Sequence, residues 1–115
     1  MTWTAKDIRS IPETGLFAAL PDNLKTIVKQ AIQMINPDMV WIFGSRARGD
    51  AKETSDFDIA FKFSSAASLN WTLFWNQVTD NPPSLHKYDL VDFNCAGQEL
   101  KERILKEGFV IYVRK

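Results

Sequence analysis

Leu24, Ile27, Val28, Ala31, Ile32 and Ile35 recur at intervals of three and four residues and draw one apolar stripe along a helix. Pro21-Asp22 opens it, with proline in a favoured first-turn position and an acid near the positive end of the dipole. Asn36-Pro37 stops it, because a residue before proline is pushed out of the helical region. Met39-Val40-Trp41-Ile42-Phe43 is then a continuous β-prone run ending at a glycine, the pattern of a strand buried on both faces. Asp56 to Phe63 alternates instead, with Asp56 and Asp58 on one face and Phe57 and Ile59 on the other. Leu69 to Val78 predicts a helical segment, capped by Ser68 and broken at Asn81-Pro82-Pro83. Lys87 to Phe93 predicts a third strand. Gln98 to Glu107 predicts a charged helix with Leu100, Ile104 and Leu105 facing inward and Gly108 as its C′ glycine. Phe109 to Val113 closes the pattern as a short fourth strand. Residues 1–20, with Pro12 and Gly15, read as a loosely structured lead-in holding one short helical piece, and residues 21–115 as a single domain. The class is α/β or α+β, a small mixed sheet of about four strands flanked by helices.

Composition narrows the function classes more than the fold. At 115 residues, with 45% hydrophobic and 24% charged positions, the chain suits one ordinary globular core and has no room for a second. Fourteen basic residues balance fourteen acidic ones, which removes the broad positive field of non-specific nucleic-acid binders and ranks that role last. The single cysteine, Cys95, excludes an internal disulfide and a four-cysteine metal site. No apolar run approaches the roughly 20 residues that cross a bilayer. The first residues carry Lys6 and Asp7 and no apolar h-region, so no secretory signal is expected and the expected location is the cytoplasm.

Two short motifs carry candidate chemistry. Gly44-Ser45 follows the first strand and leads into a turn whose backbone N–H groups can cradle phosphate oxygens, since glycine permits close approach. The Ser45 hydroxyl adds a donor, and Arg46 and Arg48 add two fork-shaped cations suited to phosphate. After ten intervening residues comes Asp56-Phe57-Asp58. Two carboxylates two positions apart project side by side and can share a divalent ion, and Mg²⁺ takes such oxygen ligands together with substrate phosphates. Adjacent like charges on an otherwise apolar strand cost stability unless a cation offsets them. A third carboxylate can come from Asp89 or Asp92, which lie three apart and so point to opposite faces of a regular strand. With it, one or two Mg²⁺ ions could be held, a pair sitting about 3.5–4 Å apart. Asp89 is also the better general-base candidate, while His86 reads as an incidental, partly exposed histidine and Cys95 as a small buried or half-buried thiol.

The strings Gly44-Ser45-Arg46-Ala47-Arg48-Gly49, Ser55-Asp56-Phe57-Asp58 and Tyr88-Asp89-Leu90-Val91 together resemble the minimal nucleotidyltransferases of the DNA polymerase β superfamily. The resemblance spans roughly residues 24 to 113. It implies a nucleotidyltransferase fold in which Gly44 and Ser45 hold a triphosphate, Asp56 and Asp58 bind Mg²⁺, and Asp89, ahead of Asp92, is the third acid. It further implies an antitoxin or catalytic subunit of a two-component system, paired with a helical HEPN-type partner and moving AMP from ATP, or another nucleotide from its NTP, to a hydroxyl.

Larger transferases of that superfamily carry a second, acceptor-binding domain, so the acceptor here is expected on another chain or across a homodimer. Trp71 and Trp75 sit in a segment with apolar residues on more than one helical face, which suggests one core and one interface tryptophan. The alternative function is a non-catalytic subunit that neutralises a helical partner by binding, with the nucleotide site structural or vestigial.

Overall fold

The computed structural model describes residues 2–115. Helix α1 (Glu13–Ala19) and helix α2 (Asp22–Met34) precede strand β1 (Met39–Phe43), after which a single helical turn, α3 (Ser45–Arg48), leads to β2 (Phe57–Lys62). Helix α4 (Ser68–Asp80) connects β2 to β3 (Tyr88–Asp92), and α5 (Gln98–Glu107) leads into β4 (Phe109–Val113). The four strands stand in the order β3-β2-β1-β4, with β1 antiparallel to both neighbours and β2 parallel to β3. The parallel pair needs a long crossover, which α4 supplies. This is the mixed sheet flanked by helices that the periodicities predict.

Alternation in the strands divides the core. Val40, Ile42, Phe57, Ile59, Phe61 and Leu90 face one side, packed under α2 and α4 with Leu24, Ile27, Val28 and Phe74. Trp41, Phe43 and Ala60 face the other, where Phe93 and Ile104 of α5 cover them. Asp58 and Asp89 belong by alternation to this second face, beyond the cover of those side chains.

Four local expectations are corrected. Residues 2–20 do not trail from the domain. A Thr4 capping box closes the 3₁₀ turn Ala5–Asp7, and Ala5, Ile8, Leu16 and Leu20 are buried in the main core. Leu105 is 63% exposed, so the buried stripe of α5 is Ile104 with Leu100 beside it. Gly108 ends α5 in an extended conformation (φ −72°, ψ 150°), not as a left-handed C′ residue. A Cβ there would strike the Ile104 carbonyl, so close packing demands the glycine. Ser68 opens α4 without a side-chain cap, whereas Ser64 caps the preceding turn. Trp71 stacks on Phe63 and packs against the main core, whereas Trp75 remains 43% exposed.

Candidate active site

The site grows from the end of β1. Phe43 lies opposite Asp58 in the antiparallel ladder, so the chain leaves the sheet beside that carboxylate. Gly44 makes the exit with φ 70° and ψ −153°, a combination that side-chain-bearing residues avoid. Its missing side chain is also required by space, because a Cβ at Gly44 would overlap the Asp58 carboxylate. Ser45 then starts α3, half-buried, and the first N–H groups of such a turn have no intrahelical acceptor.

The acids meet by register. Asp58 and Asp89 are cross-strand partners on β2 and β3, which brings their two carboxyl groups side by side. Burial first, and then the nearby Asp89 and Asp56, push the Asp58 pKa up to about 6. Arg103, reaching over from α5, pulls it part of the way back. Asp92 is elsewhere: its carboxylate caps the 3₁₀ turn Phe93–Cys95 by accepting from the N–H groups of Asn94 and Cys95. Asp89 therefore stands with Asp56 and Asp58, and Asp92 does not.

Among the described residues, no three acidic, histidine or cysteine side chains are grouped closely enough to hold a metal ion by themselves. The donor chemistry nevertheless fits Mg²⁺, since three carboxylates supply only hard oxygen donors and one of them resists ionising without a counter-charge. Gly44, Ser45, Asp56, Asp58 and Asp89 thus lie at one end of the sheet, next to a turn built to present backbone donors.

The two arginines part company. Arg46 turns inward and is only 2% exposed. Its guanidinium donates to the carbonyls of Trp3 (2.8 Å), Glu53 (3.0 Å) and Ser55 (2.8 Å) and lies 4.1 Å over the Phe57 ring. It therefore clamps the loop between the two motifs and is not free to grip a phosphate, a correction to the reading of Gly-Ser-Arg-Ala-Arg as a two-arginine anion site. Arg48 stays on the surface, paired with Asp50 (3.4 Å) and Glu107 (3.4 Å). Replacing Arg46 with methionine is expected to cost about 2–4 kcal/mol of stability, because three part-buried carbonyls lose their charged donor. A denaturant melt measures that loss. An unchanged nucleotide KM below the melting range separates the clamp from a phosphate ligand.

Sequence reasoning missed two contributors. Arg103 read as part of a solvated helix face, yet it is the cation that acts on Asp58, and Glu107 joins it to Arg48. Only its position beside the inward Ile104 could have hinted at this. His86 is not incidental: Nε2 bonds the Glu53 carbonyl (2.8 Å), Nδ1 bonds the Ser84 hydroxyl (3.0 Å), and the ring stands edge-on to Phe57. Together with Arg46 it holds the same loop. Cys95 is exposed, not the buried or half-buried thiol expected, and plays no part in this cluster.

Comparison with known proteins adds an independent line. The family model described as "Polymerase beta, Nucleotidyltransferase" matches residues 23–115. The Haemophilus influenzae protein named "Probable protein adenylyltransferase MntA" is 31% identical over 86 residues, 74% of this chain and 75% of that protein. A solved toxin–antitoxin complex with AMP-PNP aligns with a TM-score of 0.59 at 22% identity, covering 81% of this chain and 75% of that one. The complex of a tri-AMPylated Shewanella oneidensis HEPN toxin with an MNT antitoxin aligns at 0.53 and 21% identity, covering 80% and 71%. At those identities the two structures bear on the fold alone.

Proposed function

This chain belongs to the polymerase β nucleotidyltransferase family, and on that premise we propose that it transfers AMP from ATP to a hydroxyl group on a helical HEPN-type partner, as the catalytic antitoxin of a toxin–antitoxin pair. One observation carries the reading. The ladder pairs Phe43 with Asp58 and Asp58 with Asp89, so the Gly44-Ser45 turn and the acids share one end of the sheet. Support for the adenylyl group and the partner comes from the relatives, one named as a protein adenylyltransferase and others solved with AMP-PNP or with an AMPylated HEPN toxin.

In this reading Gly44 and Ser45 receive the triphosphate through backbone N–H groups and the Ser45 hydroxyl. Asp56, Asp58 and Asp89 would hold Mg²⁺, which would neutralise phosphate charge and favour ionisation of the acceptor hydroxyl. Asp89, exposed at the sheet margin, takes the proton as the acceptor oxygen bonds the α-phosphorus and the bond to pyrophosphate breaks. Arg103 offsets the negative charge gathered around Asp58. The location that fits this chemistry is the cytoplasm, and among the described residues no helix is long and apolar enough to cross a membrane.

The test uses the chain with its co-encoded helical partner, labelled ATP and Mg²⁺. Label is expected on the partner's hydroxyl, with Asp89→Asn slowing transfer by about 10²- to 10⁴-fold, the range of a lost general base. Tight partner binding without any label transfer would favour neutralisation by occlusion instead.

A further inference from the structure

Asp56 stands just before β2, so no ladder pairing fixes its direction. Its neighbours are held instead. The Ser55 carbonyl accepts from Arg46 (2.8 Å), the Phe57 N–H donates to the Lys87 carbonyl (3.0 Å), and the Phe57 ring stacks with Trp3 and Tyr88. The Glu53 carbonyl, at the start of the same turn, takes two donors, Arg46 (3.0 Å) and His86 Nε2 (2.8 Å). Behind His86 a chain of hydrogen bonds fixes which ring nitrogen carries the proton. A carbonyl can only accept, so Nε2 donates, and Nδ1 of the neutral ring accepts from the Ser84 hydroxyl (3.0 Å). Ser84 has then used its one hydrogen, so it accepts from the Tyr88 hydroxyl, which in turn accepts from the Asn23 amide (2.8 Å). With a proton on both ring nitrogens the order reverses, and the Tyr88 hydrogen is left without an acceptor in the chain.

We propose that His86 is a positioning residue for Asp56, acting through the Glu53 carbonyl, with its ring set by the chain from Asn23 through Tyr88 and Ser84. This rests on the reading of Asp56 as a Mg²⁺ ligand. Asp58 and Asp89 are aligned with each other by the sheet, whereas Asp56 hangs from a loop that has to be brought to them. The segment around His86 does this because it is bonded to that loop at two points, Glu53 and Phe57, and runs directly into the strand that carries Asp89. One link thus joins the loop of one acid to the strand of another. Groups that hold a metal ligand from behind are worth about 10- to 100-fold in metal affinity. His86 acts on the backbone and not on the carboxylate itself, which places it at the lower end of that range.

Calorimetry of AMP-PNP binding to the whole chain, with and without Mg²⁺, tests this, and amide hydrogen exchange of the metal-free chain is a second readout. His86→Leu is expected to shrink the Mg²⁺-dependent gain in AMP-PNP affinity by about 10-fold. Metal-free AMP-PNP binding should not change, since the Gly44-Ser45 turn keeps its donors. The Ser55 and Phe57 amides, which donate to the Lys52 and Lys87 carbonyls, should exchange faster in the same variant. His86→Gln keeps a side-chain N–H at about the reach of Nε2 and should restore most of both properties. Tyr88→Phe keeps the ring on Phe57, removes only the hydroxyl, and should speed the same two amides by a smaller factor. A parental Mg²⁺ gain in His86→Leu, a loss that His86→Gln does not restore, or exchange indifferent to Tyr88→Phe overturns the proposal. If Mg²⁺ adds nothing to AMP-PNP binding by the parent chain, the metal reading itself falls and takes this proposal with it, a result distinct from the other three.

Discussion

Asp58→Asn is expected to abolish adenylyl transfer while making the metal-free protein more stable. Transfer should fall by about 10³-fold or more, since the loss of a carboxylate ligand removes several kcal/mol of charge stabilisation from the transition state. The stability gain follows from the acid's position. Burial, Asp89 and Asp56 raise the folded-state pKa of Asp58 to about 6 from an ordinary 3.8. A carboxyl with a raised folded pKa contributes fully below its unfolded value, and that contribution is lost as pH rises through the folded value. In the presence of a chelator, stability should therefore decline between about pH 4 and pH 7 as Asp58 is forced to ionise. The undiscounted penalty is about 3 kcal/mol. Solvent reaches this half-buried group, so about 1–2 kcal/mol is the expected size. Asparagine keeps the shape, needs no ionisation and can donate to Asp89. Its melting temperature should exceed that of the parent by about 4–8 °C at pH 7.5, with the gap closing near pH 4. Mg²⁺ should raise the melting temperature of the parent and leave the variant unmoved. A gap that persists unchanged at pH 4 would contradict this origin.

That trade-off was partly legible before any coordinates. The runs Met39–Phe43, Gln98–Glu107 and Phe109–Val113 coincide with β1, α5 and β4 because each is a clean periodic block bounded by glycine, proline or a charge change. The alternation Asp56-Phe57-Asp58 likewise requires the two acids to share a face. What the pattern did not encode was the fate of groups whose partners lie far away in the chain. Arg46 and Arg48 are near-identical in local context, yet the carbonyls of Trp3, Glu53 and Ser55 draw one inward while Glu107 holds the other at the surface. Residues 2–20 looked loose because Ile8, Leu16 and Leu20 are too widely spaced to show a period. They pack because α3 and β4 present a surface to receive them. Arg103 escaped notice for a related reason, since only the docking angle of α5 brings it towards Asp58.

Gly44→Ala should disable the protein for two separable reasons. The backbone at φ 70° and ψ −153° costs any side-chain-bearing residue about 1–3 kcal/mol. The added methyl also meets the Asp58 carboxylate, which is held by β2 and cannot simply swing away. A combined loss of about 3 kcal/mol or more is expected in a denaturant melt, together with loss of Mg²⁺-ATP binding by calorimetry. Gly49 provides the control. It too has a positive φ (93°), but a Cβ there meets only the flexible end of Lys6. Gly49→Ala should cost about 1 kcal/mol and leave transfer intact. The double variant Gly44→Ala, Asp58→Ala discriminates between the two causes. Removing the carboxylate should recover the part of the stability lost to overlap and none of the part lost to backbone strain, a non-additivity of about 1–2 kcal/mol. Strict additivity would mean that the turn rearranges away from Asp58, and the close approach of Gly44 to the acid cluster would then not be what the glycine is there to permit.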